Sequence, residues 1–263
     1  MIDIRYSSVS TPRFTMEYAA FGNGDKPLVI IPGVSLKSVL PSAPAVASQY
    51  GRFVPDHRIY LFERKKDMKP GYSVIEMAED TAEAMKQLGI ENADVFGASQ
   101  GGMIAQVIAA RYPTLVGRLL LGSTLACQNE TSIRTFTEWI RLADLGNAVA
   151  LNRAVYTKVY SEAYYKKYEA VFHNLEKEGT EEEIRRFGIL IRACIRFDFR
   201  NGIRKIRCPI HAIGAAEDRV LSEEGTAEIG YLTGCHTGII KGCGHAVYDE
   251  CPMFMDSMRN IFR

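Results

Sequence analysis

Short, unbroken apolar runs punctuate the first half of this chain, and stretches with helical periodicity separate them. Leu28-Val29-Ile30-Ile31, Arg58-Ile59-Tyr60-Leu61-Phe62, residues 93–96 and residues 116–121 each read as strands. Wholly apolar runs of this length, flanked by turn residues, suit strands buried on both faces of a sheet. An earlier strand is expected over 14–21, followed by a Gly22-Asn23-Gly24-Asp25 turn. Residues 37–54 mix Ser, Pro and Ala and predict a loop with a short helix. Ser73 and Glu76 form a capping box that opens a helix running to about Leu88 and stopping at Gly89. A second helix is expected over 100–111, closed by Pro113. Strands alternating with helices predict an α/β fold, a mostly parallel sheet with helices on both faces.

The pattern changes near Ala126. Residues 126–205 contain no clear strand and predict four helices, roughly 132–144, 147–159, 161–177 and 181–197. Asn147, Ser161 and Thr180 suit N-caps, and Thr180 with Glu183 makes another capping box. The segment is rich in aromatics, among them Phe136, Trp139, Tyr156, Tyr160 and Phe187. It reads as a helical cap at 126–205 inserted into a core formed by 1–125 and 206–263. Most of its aromatics are expected between cap and sheet, with Trp139 the first choice for a substrate pocket. The α/β pattern then resumes with a strand over 208–214, a loop over 215–220, a helix from Ser222, a strand over 237–240, a Gly242-Cys243-Gly244-His245-Ala246 loop and a closing helix over 251–262.

At 263 residues the chain is long enough for one large domain with an insertion. A formal net charge of +1 gives no global electrostatic footprint for nucleic acid or a membrane surface. No apolar run approaches a bilayer span, and Met1-Ile2-Asp3-Ile4-Arg5 has no signal-peptide pattern, so a cytoplasmic location is expected. The six cysteines contain no C-x-x-C pair and read as reduced thiols. The charged run from Glu63 to Lys69 reads as a solvated loop, or else as a site mouth attracting an anionic substrate.

The chemistry gathers at Gly97-Ala98-Ser99-Gln100-Gly101, a G-x-S-x-G sequence between an apolar strand and a helix. That context is a nucleophile elbow, in which a tight turn lifts a serine hydroxyl over a helix N-terminus. A serine needs a base to take its proton. His245, in a glycine-flanked loop after the last strand, is the best base, and Asp218, after the strand before it, the best group to orient the imidazole. His57, His173, His211 and His236 fit less well and read as structural; Glu217 is the weaker alternative to Asp218. Cys243 reads as a small buried or loop cysteine. The oxyanion hole requires two N–H donors: Gln100, after the nucleophile, supplies one, and Val34, in the loop after the 28–31 strand, is the choice for the other. That loop also reads as a plain strand-ending turn. No metal-ligand spacing or phosphate-binding glycine loop is present, so no cofactor is expected.

These residues resemble the α/β-hydrolase fold family, in its compact, helical-capped form that includes enol-lactonases, small carboxylesterases and carbon–carbon bond hydrolases. The resemblance covers nearly the whole chain; it is strong in 97–102, in 214–220 and in Gly244-His245, and weak in the cap. The family's common His-Gly after the oxyanion strand is replaced by Pro32-Gly33, and its Asp-x-Arg-Gly-x-Gly by Glu63-Arg64-Lys65-Lys66-Asp67-Met68. A serine rather than an aspartate at the elbow argues against dehalogenase or epoxide hydrolase chemistry. The resemblance implies a serine hydrolase acting on a small ester, thioester or lactone. Its rivals are a carbon–carbon bond hydrolase using the same residues and a non-catalytic ligand-binding protein. A small-molecule substrate is expected, with neither nucleic acid nor membrane as partner.

Overall fold

A computed structural model describes residues 2–263. Eight strands form one sheet: β1 (Ile4–Ser10), β2 (Thr15–Phe21), β3 (Lys26–Ile31), β4 (His57–Phe62), β5 (Ala93–Ala98), β6 (Val116–Gly122), β7 (Ile210–Ala215) and β8 (His236–Ile240). Their spatial order is β1-β2-β4-β3-β5-β6-β7-β8. The pairs β1·β2 and β2·β4 are antiparallel, and every pairing from β4 to β8 is parallel.

The two-residue period of the central strands builds two cores. Val29 and Ile31 of β3, Tyr60 and Phe62 of β4, and Leu119 and Leu121 of β6 face one layer. Leu28, Ile30, Ile59, Leu61 and Leu120 face the other. Burial on both faces is why these strands read as continuous apolar runs. On the first face lie α2 (Val74–Gln87) and α3 (Gln100–Arg111), through Met77, Met85, Met103 and Ile104. On the second lie α1 (Ala43–Gln49) and the closing helix, through Ala47, Phe254 and Met258.

Between β6 and β7 come α4 (Glu130–Asp144), α5 (Ala148–Val159), α6 (Glu162–Lys167), α7 (Glu169–Leu175), α8 (Glu181–Ile195) and the single turn α9 (Arg200–Ile203). Asn147, Ser161 and Thr180 each accept a bond from the first turn of their helix, as the cap residues predict. The helix expected over 161–177 is instead two, because Tyr168 leaves helical geometry at φ −112°, ψ 22°. A third capping box, Asn129 with Ser132, opens α4. After β7 follow α10 (Ser222–Thr233), the short α11 (Val247–Glu250) and α12 (Pro252–Ile261). Among the described residues no helix is long and apolar enough to cross a membrane.

The elbow sits where β5 gives way to α3. Glycine is required there by backbone proximity. A Cβ on Gly101 would lie 1.9 Å from the Ile31 carbonyl oxygen, and one on Gly97 2.5 Å from that of Gly101. Without side chains at these positions, α3 starts hard against β3, and the turn from β5 into α3 is sharp.

Candidate active site

Ser99 carries that sharpness in its own backbone, at φ 52° and ψ −119°. A non-glycine residue there costs of order 1–3 kcal/mol and persists only where its surroundings impose it. They do: the Ser99 N–H donates to Gly122 O at 2.9 Å, and the Thr124 hydroxyl donates to Ser99 O at 2.7 Å. Its side chain does not cap α3.

His245 and Asp218 come from the loops after β8 and β7. Both are buried, at 3% and 7% exposure. Asp218 Oδ1 accepts the Val220 and Leu221 N–H groups at 2.8 and 2.9 Å. Its Oδ2 therefore serves His245 Nδ1, 2.8 Å away. An ionised carboxylate only accepts, so Nδ1 carries the proton and Nε2 keeps its lone pair. Glu217 is exposed and turned out of this arrangement. The His245 loop is fastened through Glu250, whose carboxylate accepts the Gly244 N–H at 3.1 Å and the Ser161 N–H at 2.9 Å.

Ser99 and His245 line one cavity of about 50 Å³. Val34 contributes to its wall, and Trp139 of α4, Val155 and Val159 of α5 and Cys194 of α8 close over it. The Trp139 indole N–H donates to Ala154 O at 3.3 Å, so its ring is held by α5. Gln100 is fully buried, with its amide donating to Leu190 O at 2.8 Å and to Cys194 Sγ at 3.1 Å. Its side chain is thus occupied elsewhere, and its backbone N–H at the start of α3 takes no backbone acceptor among the described residues; the same holds for Val34 N–H.

The run from Glu63 departs from the solvated loop expected of it. Glu63 and Arg64 are buried, and only the later residues, such as Lys66 and Lys69, are exposed. Their partners are distant in sequence. Arg64 Nη2 donates to Pro32 O at 2.6 Å and to Gln100 Oε1 at 3.3 Å. Glu63 accepts the Val39 N–H at 2.8 Å and pairs with Arg186 of α8, which also donates to Ser35 O at 3.2 Å. The loop bearing Val34 is therefore tied at Pro32, Ser35 and Val39. Burial pulls the Arg64 guanidinium down to about 10, while Glu63 holds it up. It stays charged at neutral pH; beneath the loop Glu63 takes the Arg186 guanidinium and the Arg64 backbone N–H, at 2.7 Å, while the Arg64 guanidinium bonds Pro32 O and Gln100 Oε1.

The remaining histidines lie apart from Ser99. His57 bonds Asp94 at 3.0 Å near the amino ends of the strands, the His211 and His236 rings stack at 6.1 Å, and His173 is exposed on α7. Cys243 is buried, and burial, with Cys251 beside it, pushes its thiol up to about 12, so it is neutral and a poor nucleophile. In the sequence Glu63 and Arg64 stand only as part of a charged run, and Arg186 and Glu250 belong to no local motif.

An open parallel sheet with a strained serine between strand and helix, facing a buried histidine–carboxylate pair, defines a hydrolase scaffold of the α/β type. The chain belongs to the alpha/beta hydrolase fold family, whose family model matches residues 26–252. Among curated proteins it is similar to the "Putative carbamate hydrolase RutD" of Rhizobium rhizogenes, at 26% identity over 65% of this chain and 69% of that protein. The Escherichia coli protein of the same name is 27% identical over 66% and 67%. Among solved structures, an enol-lactonase from Burkholderia xenovorans LB400 superposes with TM-score 0.84 at 16% identity, covering 97% of this chain and 99% of that one. An esterase from Exiguobacterium antarcticum gives 0.80 at 17% identity, covering 97% and 98%. At these identities the structural likenesses speak for the fold.

Proposed function

We propose that the protein is a serine hydrolase that cleaves a small ester, thioester or lactone through an acyl-enzyme. The observation that carries this reading is the buried His245–Asp218 bond opening, with Ser99, onto one cavity. Ser99 Oγ attacks the acyl carbon and passes its proton to His245 Nε2. The Gln100 and Val34 N–H groups hold the oxygen that becomes negative. The imidazolium then protonates the leaving oxygen or sulfur as the bond to the acyl carbon breaks. A water molecule, giving its proton to His245, attacks the acyl-enzyme and restores Ser99. Residues 126–205, roofing the cavity, act as the cap over a core of 1–125 and 206–263. The curated relatives are named carbamate hydrolases, and a carbamate is cleaved at an acyl carbonyl, which supports this chemistry over carbon–carbon cleavage.

A substrate panel tests the reading. Aryl acetates, thioacetates, lactones and carbamates are offered beside vinylogous diketones. Turnover of at least one acyl substrate, with a stoichiometric burst of leaving group before the steady state, is expected. Turnover confined to the diketones would replace the reading with carbon–carbon hydrolysis.

Arg64 is assigned a positioning role, since it holds Pro32 O two residues before Val34. A slackened oxyanion donor costs the transition state more than the ground state. Arg64→Met is expected to lower kcat about 10- to 100-fold with little change in KM. Arg64→Lys, which keeps the charge and one donor, should recover part of the loss. A change in KM alone would contradict the assignment.

A further inference from the structure

Beside the cavity of Ser99 and His245 lies a larger one of about 480 Å³. Gly33, Val34, Val155, Val159 and Tyr248 line both, so the two spaces meet. A volume of this size suits the non-reacting part of a small substrate. The wall is largely apolar, and Phe96, Tyr156, Tyr160 and Tyr248 give it aromatic surface. Its charged side chains, Lys37, Glu178 and Asp249, are all exposed, and the first two pair with each other. The buried part of the wall is therefore uncharged.

Two neutral polar groups stand on that buried part. Tyr50 is 3% exposed, and its ring packs on Phe53 and Phe96 at centroid distances of 6.1 and 6.4 Å. Burial pushes its phenol well above the ordinary value, so it stays a donor. Asn152 of α5 is also 3% exposed. Its amide nitrogen donates to the carbonyl oxygens of Leu175, Glu176 and Glu178 at 3.4, 3.2 and 2.7 Å. A carbonyl only accepts, so these contacts fix which end of the amide is nitrogen and turn Oδ1 away from them. Neither the Tyr50 hydroxyl nor Asn152 Oδ1 has a hydrogen-bond partner among the described residues. Nor is either sealed in: the buried side-chain atoms enclosed without a partner are His57 Nδ1, Arg64 Nε, Gln106 Oε1, Ser123 Oγ and Gln128 Oε1. Both groups thus keep contact with open space, which at these two residues is the cavity. A ligand that fills the cavity with carbon alone strips both of water and leaves them unpaired, at a cost. A ligand hydroxyl both accepts and donates, so it suits either group.

We propose that this cavity is a subsite for a hydroxylated aromatic ring, so that the enzyme prefers esters whose non-reacting end is a phenol, with the Tyr50 hydroxyl donating to it and Asn152 Oδ1 accepting from it. The preference as a catalytic property rests on the serine hydrolase reading; the binding preference does not.

The test uses 2-phenylethyl acetate and methyl 3-phenylpropanoate, which carry the ring on the alcohol and on the acyl side. Each is made with a hydroxyl or a methyl group, close in volume, at the meta or para position of the ring. Dissociation constants are measured by calorimetry on the full chain carrying Ser99→Ala, and kcat/KM on the unaltered protein. In at least one pair the hydroxyl ester is expected to be favoured about 10-fold or more in both measurements. Tyr50→Phe breaks no hydrogen bond within the protein, and adding it should lower that ratio about fivefold or more, the remainder resting on Asn152. No binding of any of the esters, no hydroxyl ester bound better than its methyl counterpart, or a ratio unchanged by Tyr50→Phe overturns the proposal. Preferential binding of a hydroxyl ester without hydrolysis of any of them would count against the hydrolase reading and leave the subsite standing.

Discussion

Alanine at position 99 is expected to lower turnover of any acyl substrate by about 10⁴- to 10⁶-fold. The reaction has no other first step. The hydroxyl oxygen forms the bond to the acyl carbon, and the nearest alternative, the Cys194 thiol on the same cavity wall, is buried and pushed up to about 12, hence uncharged. The fold should tolerate the change. Ser99 does not cap α3 with its side chain, and the positive φ is imposed by the Gly122 and Thr124 contacts, which bind backbone atoms. Melting curves of the variant and the parent should differ by no more than about 1 kcal/mol in stability. Retained activity, with contamination excluded, would remove Ser99 from the mechanism.

The second large effect is expected at Asp218. Asparagine is the informative replacement, because the two oxygens of Asp218 have different duties. Oδ1 accepts from Val220 and Leu221, and Oδ2 from His245. In Asp218→Asn the amide oxygen is drawn to the two backbone donors, which leaves the NH₂ facing Nδ1. An imidazole met by a donor accepts at Nδ1 and carries its proton on Nε2, where it cannot take one from Ser99. The expected loss is about 10⁴-fold in kcat, with the loop fold retained. Asp218→Glu does not offer the same comparison, since its longer side chain shifts both contacts. A loss of tenfold or less in the asparagine variant would mean that His245 is not oriented through Asp218.

Much of the architecture was legible in the chain, for definable reasons. The central strands are buried on both faces, so β3, β4 and β6 appear as apolar runs. Capping boxes are local, so Ser73 and Glu76, and Thr180 and Glu183, mark helix starts that the structure also shows. The first strand, β1, was not read, because an edge strand with most residues exposed lacks the alternation that betrays burial. The break at Tyr168 was missed because Tyr164, Tyr165 and Phe172 keep helical spacing across it, while the stacking of Tyr165 on Phe172 at 5.0 Å belongs to two helices.

The site divides in the same way. Ser99, Asp218 and His245 each follow a strand, and the G-x-S-x-G turn, the glycine-flanked loop of His245 and their order along the chain made them candidates. The brace under the Val34 loop has no such signature. A run of charges normally faces water, and only the arrival of Arg186 from α8, together with the carbonyl oxygens of Pro32 and Ser35, lets Glu63 and Arg64 be buried.

The claim on which the account rests is that Ser99 is an activated nucleophile. The most direct measurement is mass spectrometry of the protein after treatment with a fluorophosphonate, with Ser99→Ala as the control. A single adduct on the peptide containing Ser99, and none in the variant, is expected. A folded protein that takes up no label, or a label that persists when Ser99 is alanine, would contradict it.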